Sequence, residues 1–353
     1  MILRILSLLV VFSFLSCKSQ QTALYVGTYT NGASEGIYKL DFNTTTGELT
    51  NKQLAVKTTN PSFITFSPNK KYIYAAGEAK ASAVTAFNVN KNGTLSFLNS
   101  VSSEGKGPCH ITINESGNTI AVSNYGGGTA SVFYTNENGT LNKASQVFNH
   151  NIENQKSHVH SAHFYNDDLF FADLGRNAVY NYKLKNNAYA LKSPAIIETT
   201  GNPGPRHFVI SKSGKFIYII NEYGNSITSV KRTENGFEQI DEDSTLRSDY
   251  KEHNTCADIH LSKDERFLYG SNRGENSIVV FKRDVKTGTL EKVQNISAHG
   301  TIPRNFTLDP TGKFLLVANK KSENISVFKI DKNSGKLTFL HSIDLPAPVC
   351  LLF

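Results

Sequence analysis

The sequence predicts an all-β protein, a single seven-bladed β-propeller with four-stranded antiparallel blades. Two observations carry this prediction. A segment of similar sequence recurs seven times at intervals of about 45 to 51 positions, which is the length of one propeller blade. Within each copy, apolar and polar residues alternate with a period of two and helical stripes are absent, so the copies consist of strands.

The N-terminus has the features of an export signal. Arg4 precedes an apolar run that extends to Leu15. Such a run is too short to span a bilayer, which takes about 20 apolar residues, so residues 1–16 are predicted to be a signal peptide. The tetrapeptide Phe14-Leu15-Ser16-Cys17 resembles a bacterial lipobox. This resemblance implies a lipidated Cys17, a polar tether over residues 17–22, and a lipid-anchored location in the cell envelope, in the periplasm or at the outer membrane.

Each copy of the repeat has the same order of features. It opens with a proline and a polar pair, continues as an alternating strand, turns at a Gly-Lys-like pair, and returns as an apolar strand that ends in asparagine. The copies begin, in chain order, at Pro61, Pro108, Val159, Pro205, Cys256, Pro303 and Pro348.

The last copy is completed from the other end of the chain. Pro348 to Phe353 can supply only one strand, whereas Ala23–Gly27 and Gly36–Phe42 alternate as a second and a third strand would. A blade shared between the two termini closes the ring and leaves no open sheet edge. The propeller domain is therefore predicted to cover residues 23–353, with no second domain.

The charge of the chain favours small anionic partners. The sequence has 37 Lys+Arg against 30 Asp+Glu, a formal net charge of +7, and the basic residues are spread along the chain rather than gathered in blocks. With no basic-plus-aromatic recognition motif, this distribution argues against nucleic acid. We expect an anionic or polar small-molecule partner, contact with the membrane only through the lipid, and a monomeric protein.

Three thiols remain if Cys17 carries lipid. Cys109, Cys256 and Cys350 are odd in number, which does not suit a disulfide framework in an oxidising compartment. They are predicted to be small, buried or channel-side thiols.

Two sets of equivalent positions in the seven copies, which we call columns, define a candidate site. In a propeller the first strand of each blade lines the channel and the second returns beside it, so the start of the first and the end of the second meet at one mouth. Taken singly, each side chain there could be exposed or ion-paired for structural reasons, but their convergence favours a functional site. The candidates are His110, His160, Arg206, His207, Asp258 and Arg304 from the first strands, and Tyr125, Glu222, Arg273 and Lys320 from the ends of the second strands.

Other polar residues of the repeat have simpler explanations. Asn or Asp ends the second strand in five of the seven blades, which is typical of a turn cap bonded to its own backbone. His163 and His260, deeper in their strands, are predicted to be buried and hydrogen-bonded. A metal site at His158, His160 and His163 is not predicted, because alternation puts His163 on the opposite face of its strand.

Several motifs of this chain resemble the seven-bladed lactonase family, which includes propeller-type 6-phosphogluconolactonases and fungal carboxy-muconate cyclases. The motifs are Gly204-Pro205-Arg206-His207, Tyr218-Ile219-Ile220-Asn221-Glu222, Ala257-Asp258-Ile259-His260, Leu268-Tyr269-Gly270-Ser271-Asn272-Arg273 and Pro303-Arg304-Asn305-Phe306. The resemblance covers nearly the whole chain after residue 22.

The resemblance implies lactone ring opening, or the reverse closure, without a cofactor. The catalytic histidine, two arginines and glutamate of the family correspond to His160, Arg206, Arg273 and Glu222. Arg206 and Arg273 would hold an anionic group or the developing oxyanion, and His160 or Glu222 would take a proton from water.

The remaining candidates, His110, Tyr125, His207, Asp258, Arg304 and Lys320, would bind the substrate. The export signal departs from the pattern of a cytosolic pentose-phosphate enzyme, so the reaction class carries over more safely than a phosphorylated substrate. A non-catalytic glycan- or protein-binding propeller and a muconate-type cyclase remain alternatives.

Overall fold

The computed structural model describes residues 21–199 and 201–353. All regular structure in these residues is β-strand, in seven four-stranded antiparallel sheets, which confirms the predicted seven-bladed propeller. The predicted signal peptide, Cys17 and residues 18–20 of the predicted tether lie outside the described residues. Among the described residues, no helix is long and apolar enough to cross a membrane.

The 28 strands follow one another along the chain with four to each blade. They are β1 Gln21–Thr28, β2 Gly36–Asn43, β3 Leu49–Lys57, β4 Pro61–Phe66, β5 Tyr72–Gly77, β6 Ala83–Val89, β7 Leu95–Ser102, β8 Pro108–Ile113, β9 Thr119–Asn124, β10 Thr129–Thr135, β11 Leu141–Asn149, β12 Val159–Tyr165, β13 Asp168–Asp173, β14 Ala178–Lys185, β15 Ala188–Glu198, β16 Pro205–Ile210, β17 Phe216–Asn221, β18 Ser226–Thr233, β19 Gly236–Ser244, β20 Thr255–Leu261, β21 Phe267–Arg273, β22 Ser277–Arg283, β23 Leu290–Ser297, β24 Pro303–Leu308, β25 Phe314–Asn319, β26 Asn324–Ile330, β27 Leu337–Asp344 and β28 Pro348–Leu352.

The blade that closes the ring is shared by the two ends of the chain, as predicted. Its strand order is β28-β1-β2-β3, and the pairing of β28 with β1 places Tyr25 opposite Leu352 and Gly27 opposite Cys350. Strand β1 begins at Gln21, two residues before the predicted start of the domain. Because β28 pairs with β1, this blade has four strands like the other six.

The hydrophobic core lies between neighbouring blades. Every side chain of β17 and of β25 is buried, because a second strand is covered on both faces by the adjacent blades. Outer strands such as β27 instead alternate between partly buried and exposed residues after a buried first residue. One inter-blade cluster joins Tyr269 and Ile278 to Phe306 and Phe328, and burying one such side chain contributes about 1.5–3 kcal/mol.

Tyrosine side chains tie several blades to the next one. The hydroxyl of Tyr25 donates to the carbonyl of Gly93 at 2.9 Å, and that of Tyr269 donates to the carbonyl of Gly335 at 3.1 Å. The turn at Gly335 has a φ of +71°, and a Cβ at that position would stand 2.3 Å from the ring of Phe267. The turn therefore requires glycine both for its backbone and for the close approach of the neighbouring blade.

A β-bulge interrupts the start of every first strand. In each blade, the register between the first and second strands shifts close to the first paired residue. In β16, Pro205 pairs with Asn221 and His207 with Ile220, so Arg206 has no partner on β17. A bulge re-aims its side chains, and here the consecutive residues Arg206 and His207 both face the channel.

The asparagine column is structural, as predicted, but its partners differ from the predicted ones. The side-chain amide of Asn272 donates to the carbonyl of Thr245 at 3.1 Å and to the hydroxyl of Ser277 at 3.0 Å. Asn319 likewise donates to the carbonyl of Ala298 at 3.3 Å. Asn272 and Asn319 thus fasten the connection that enters their blades, whereas Asn221 donates to the hydroxyls of Ser226 and Thr228 in its own blade.

We predict that Asn272→Ala lowers the free energy of unfolding by about 1–3 kcal/mol, because the buried carbonyl of Thr245 and hydroxyl of Ser277 lose a donor. Thermal or denaturant unfolding measures this. As a control, Asn333→Ala in an exposed turn should change stability by less than about 0.5 kcal/mol. Equal stability of the two variants would contradict the assignment.

Candidate active site at one mouth of the central channel

Three of the predicted catalytic side chains meet at one mouth of the channel. Arg206 lies at the bulge of β16, Glu222 follows β17, and Arg273 ends β21. The Oε2 atom of Glu222 lies 2.9 Å from Arg206 Nε and 2.9 Å from Arg273 Nη2. One carboxylate therefore joins two guanidinium groups from neighbouring blades, and we call these three residues the mouth cluster.

Backbone groups hold the mouth cluster in place. Nη1 of Arg206 donates to the carbonyl of Ala257 at 2.5 Å, and Nη2 of Arg273 donates to the carbonyl of Cys256 at 2.7 Å. Arg206 is only 1% exposed. Burial, together with the positive charges of Arg273 and Arg304, lowers the pKa of Arg206 to about 10. The guanidinium therefore keeps its charge at neutral pH.

His160, the fourth predicted catalytic residue, lies in the same group. Its ring centroid is 5.2 Å from that of His207 and 5.5 Å from that of Tyr125. Burial, and next the positive charge of Arg206, lower the pKa of His160 well below the ordinary value of 6.5. His160 is therefore a neutral imidazole at pH 7, with a nitrogen lone pair available to accept a proton.

Aromatic side chains form one part of the rim. The ring of Tyr125 stacks on that of His158 at 4.5 Å with an interplanar angle of 24°, and His158 Nδ1 lies 3.0 Å from the carbonyl of Tyr125. Tyr223, which follows Glu222, is 46% exposed. Tyr125 thus lies beside His160 at the mouth, in agreement with its predicted position.

Arg304 and Lys320 form a second cationic group at the side of the mouth. Arg304 Nη2 is 3.8 Å from Glu78 Oε2, and the hydroxyl of Tyr29 donates to the same oxygen at 2.6 Å. Lys320 Nζ lies 4.8 Å from the centre of the Tyr29 ring, a cation–π distance. We call Tyr29, Glu78, Arg304 and Lys320 the lateral cluster.

Sequence reasoning did not single out Tyr29 and Glu78 as site residues. Both occupy the position directly after the end of a second strand, which is also the position of Glu222 in its own blade. This shared position in the repeat could have identified Tyr29 and Glu78 as site residues. The two clusters together carry four cationic side chains and two carboxylates, so the mouth favours an anionic ligand.

Three of the predicted substrate contacts lie deeper than expected. His110, His207 and Asp258 line a cavity of about 250 Å³ that extends along the channel behind Arg206, and we call it the rear cavity. The Nδ1 atom of His110 accepts a hydrogen bond from the backbone nitrogen of Ala162 at 3.3 Å. These residues thus lie deeper along the channel than the columns indicate, although His207 also borders Arg206 and Arg304, and their contact with a substrate stays a prediction.

His163 and His260 also differ from the prediction. Both are half-buried and line the rear cavity, and of the two His260 is the one whose side chain is hydrogen-bonded, from Nε2 to Asp258 at 3.0 Å. His163 faces the channel as His160 does, because the bulge at His160 adds a residue and breaks the expected alternation. In residues 21–199 and 201–353, no group of three or more His, Cys, Asp or Glu side chains is arranged to hold a metal ion.

The three described cysteines, Cys109, Cys256 and Cys350, are free and buried, which confirms the prediction of buried thiols. Burial raises the pKa of each thiol to about 12. The thiols are therefore protonated and unreactive at neutral pH.

Comparison with known proteins identifies the relatives of this arrangement. The sequence model of the family described as "Lactonase, 7-bladed beta-propeller" matches residues 23–353. The chain belongs to this seven-bladed lactonase family. The matched residues include those of the blades and those of the mouth.

Three relatives illustrate the range of the family. A 6-phosphogluconolactonase of Bacillus subtilis is 33% identical over 341 residues, which cover 93% of this chain and 97% of the relative. A 6-phosphogluconolactonase of Formosa agariphila is 36% identical, over 89% of this chain and 94% of the relative. The structure of a periplasmic gluconolactonase of Pseudomonas aeruginosa superposes with a TM-score of 0.88 at 28% identity, over 93% and 98% of the two chains.

We predict that the protein loses stability as the pH falls from 7 to 5. Burial lowers the pKa of His163 to about 4, whereas a histidine in the unfolded chain has a pKa near 6.5. The unfolded state therefore takes up the proton first, which lowers its free energy relative to that of the folded state. His163→Gln removes this group. The variant should therefore lose about 2 kcal/mol less than the wild type between pH 7 and pH 5 in denaturant unfolding. An equal loss in both proteins would contradict this.

Proposed function

We propose that this protein is a lactonase that hydrolyses a sugar lactone at the channel mouth. One observation carries the proposal: in a chain of the lactonase family, two guanidinium groups converge on Glu222 at 2.9 Å each, beside the neutral imidazole of His160. This arrangement supplies positive charge for an oxyanion and a proton acceptor for water in one place.

The two arginines of the mouth cluster are proposed to stabilise the transition state. When water attacks the lactone carbonyl carbon, negative charge develops on the carbonyl oxygen. Preorganised guanidinium donors stabilise that charge more strongly than bulk water does. Glu222 would fix the orientation of both groups before the substrate arrives, so no reorganisation is needed during the reaction.

His160 is proposed to be the general base. A water oxygen bonds to the carbonyl carbon while its proton passes to the imidazole, and the bond from that carbon to the ring oxygen then breaks. The ring oxygen takes the proton from the His160 imidazolium and becomes a hydroxyl. The new carboxylic acid then loses its proton, so the products are a hydroxy acid carboxylate and one released proton. General base catalysis of this kind contributes a factor of about 10² to 10⁴ in rate.

The substrate is proposed to be the lactone of a sugar acid. The relatives named above act, by their names, on 6-phosphogluconolactone or gluconolactone. Arg304 and Lys320 of the lateral cluster would attract an anionic substituent that lies away from the lactone carbonyl.

Export and lipid anchoring are proposed from the sequence of the N-terminus. The short apolar run that ends before Cys17 is typical of a lipoprotein signal, and the Pseudomonas aeruginosa relative is a periplasmic protein. A cell-envelope location would expose the enzyme to sugar lactones outside the cytoplasm. We further propose that the protein is a monomer with no nucleic-acid partner.

We predict that Arg206→Lys reduces kcat/KM for gluconolactone by about 100-fold or more. Lysine keeps the charge but lacks the planar fork that bonds Glu222, His207 and Ala257 together, and loss of one oxyanion donor costs about 10² to 10³. Acid release by the purified protein measures hydrolysis. The control Arg266→Lys, at an exposed pair with Asp264, should leave the rate unchanged. Wild-type rates in Arg206→Lys would remove this arginine from the mechanism, and ligand binding without turnover of any lactone would favour a binding propeller.

We predict that Lys320→Gln raises KM for 6-phosphogluconolactone while leaving KM for uncharged gluconolactone unchanged. A charged contact at the half-buried Lys320 is worth about 1 kcal/mol, which corresponds to roughly fivefold in KM. The two substrates are compared in the same assay, with the exposed Lys336→Gln as the control. Equal effects on both substrates would show that the lateral cluster does not recognise an anion.

A further inference from the structure

The guanidinium of Arg206 is bonded on both of its sides. Besides the contacts to Glu222 and to the carbonyl of Ala257, its Nη1 atom lies 3.3 Å from Nε2 of His207. Arginine has only hydrogen-bond donors. A favourable contact therefore requires Nε2 of His207 to be an unprotonated acceptor, which places the single proton of a neutral imidazole on Nδ1.

The other side of the His207 ring meets a buried carboxylate. Nδ1 of His207 lies 2.7 Å from Oδ1 of Asp258, and a carboxylate can only accept when it is ionised. Burial, and next the charge of Arg206, lower the pKa of His207 to about 4, so the ring is neutral at pH 7. Asp258 thus selects the one tautomer whose Nε2 lone pair faces Arg206.

Asp258 is itself held rigidly by a neighbouring blade and by its own strand. Its Oδ2 atom accepts from Asn305 Nδ2 at 2.6 Å, from His260 Nε2 at 3.0 Å and from the backbone nitrogen of Phe306 at 3.2 Å. Burial alone would raise the pKa of Asp258, but His260 and His207 hold it well below the ordinary value. An ionised carboxylate at the channel axis therefore connects three successive blades to the arginine above it.

We propose that Asp258 and His207 are positioning residues: Asp258 fixes the tautomer and orientation of the His207 ring, and His207 holds the guanidinium of Arg206 against Glu222. Neither residue touches the substrate, and both act through Arg206. The kinetic part of this inference rests on the proposed lactonase function, whereas the hydrogen-bond chain can be tested without it.

The opposite tautomer would disrupt the mouth cluster. A proton on Nε2 would point an N–H group at Nη1 of Arg206, so that two donors would face each other across 3.3 Å. The guanidinium would then move away from Glu222. A displacement of about 1 Å at a group that stabilises the transition state costs about 100-fold in rate.

The tautomer is tested directly by nitrogen NMR of the full propeller with ¹⁵N-labelled histidine. Between pH 6 and pH 8, we expect His207 to show a protonated Nδ1 and an unprotonated Nε2, and to remain neutral. In Asp258→Asn we expect the proton to move to Nε2, because the amide can donate to Nδ1. A wild-type ring with its proton on Nε2 would overturn the proposal, even if a variant failed to fold.

The kinetic test uses single and double variants. Asp258→Asn and His207→Leu should each lower kcat for gluconolactone by about 10- to 100-fold, with little change in KM. His207→Gln, which keeps a donor and an acceptor, should recover part of the loss. If Asp258 acts only through His207, the double variant Asp258→Asn/His207→Leu should be no slower than His207→Leu alone.

The control is His163→Gln, which changes a histidine of the same cavity outside the hydrogen-bond chain and should keep the wild-type kcat. Losses that multiply in the double variant would overturn the proposal, because they would give Asp258 a role independent of His207. If the wild-type protein hydrolyses no lactone, the proposed function fails, and the tautomer measurement still decides whether the hydrogen-bond chain exists.

Discussion

The extra residue at the start of each first strand is the constraint on which the site depends. A regular strand sends successive side chains to opposite faces, so only one of two neighbours could face the channel. The bulge in β16 leaves Arg206 unpaired between Pro205 and His207, and both side chains then face inward. The mouth can therefore hold an arginine while a histidine directly below supports it. Without the bulge, one of them would lie in the apolar layer between the blades.

Charge balance explains why these buried cations are tolerated. A buried guanidinium is costly unless it is paired and hydrogen-bonded. Arg206 and Arg273 share one glutamate and each also bonds a backbone carbonyl, while Arg304 pairs with Glu78. These contacts pair each arginine with a carboxylate but leave more positive than negative charge at the mouth. An anionic ligand would complete the balance, which connects the charge distribution of the mouth with the chemistry proposed for it.

The repeat is the part of the structure that the sequence predicts well. The start of each blade, the shared closing blade and the convergence of His160, Arg206, Glu222 and Arg273 follow from the columns, because equivalent positions in a ring become neighbours. The depth at which a side chain lies along the channel does not follow from the columns. His110, Asp258 and His163 lie elsewhere than predicted because the bulge adds a residue before them, and sequence periodicity cannot show a bulge. The partners of Asn272 were also beyond prediction, since they lie on a connection of irregular backbone.

Function in a symmetric ring arises where one blade departs from the others, and the blade of His160 shows how such a departure is accommodated. Asp173 stands where most blades have asparagine. Its carboxylate accepts from Ser157 at 2.5 Å, from the backbone nitrogen of His158 at 2.9 Å and from His150 at 3.2 Å. A carboxylate has more acceptor positions than an amide, so it can accept these three hydrogen bonds from the connection between β11 and β12. That connection sets His158 against Tyr125 and leads directly into His160. Aspartate at this position therefore fixes the connection that leads into His160.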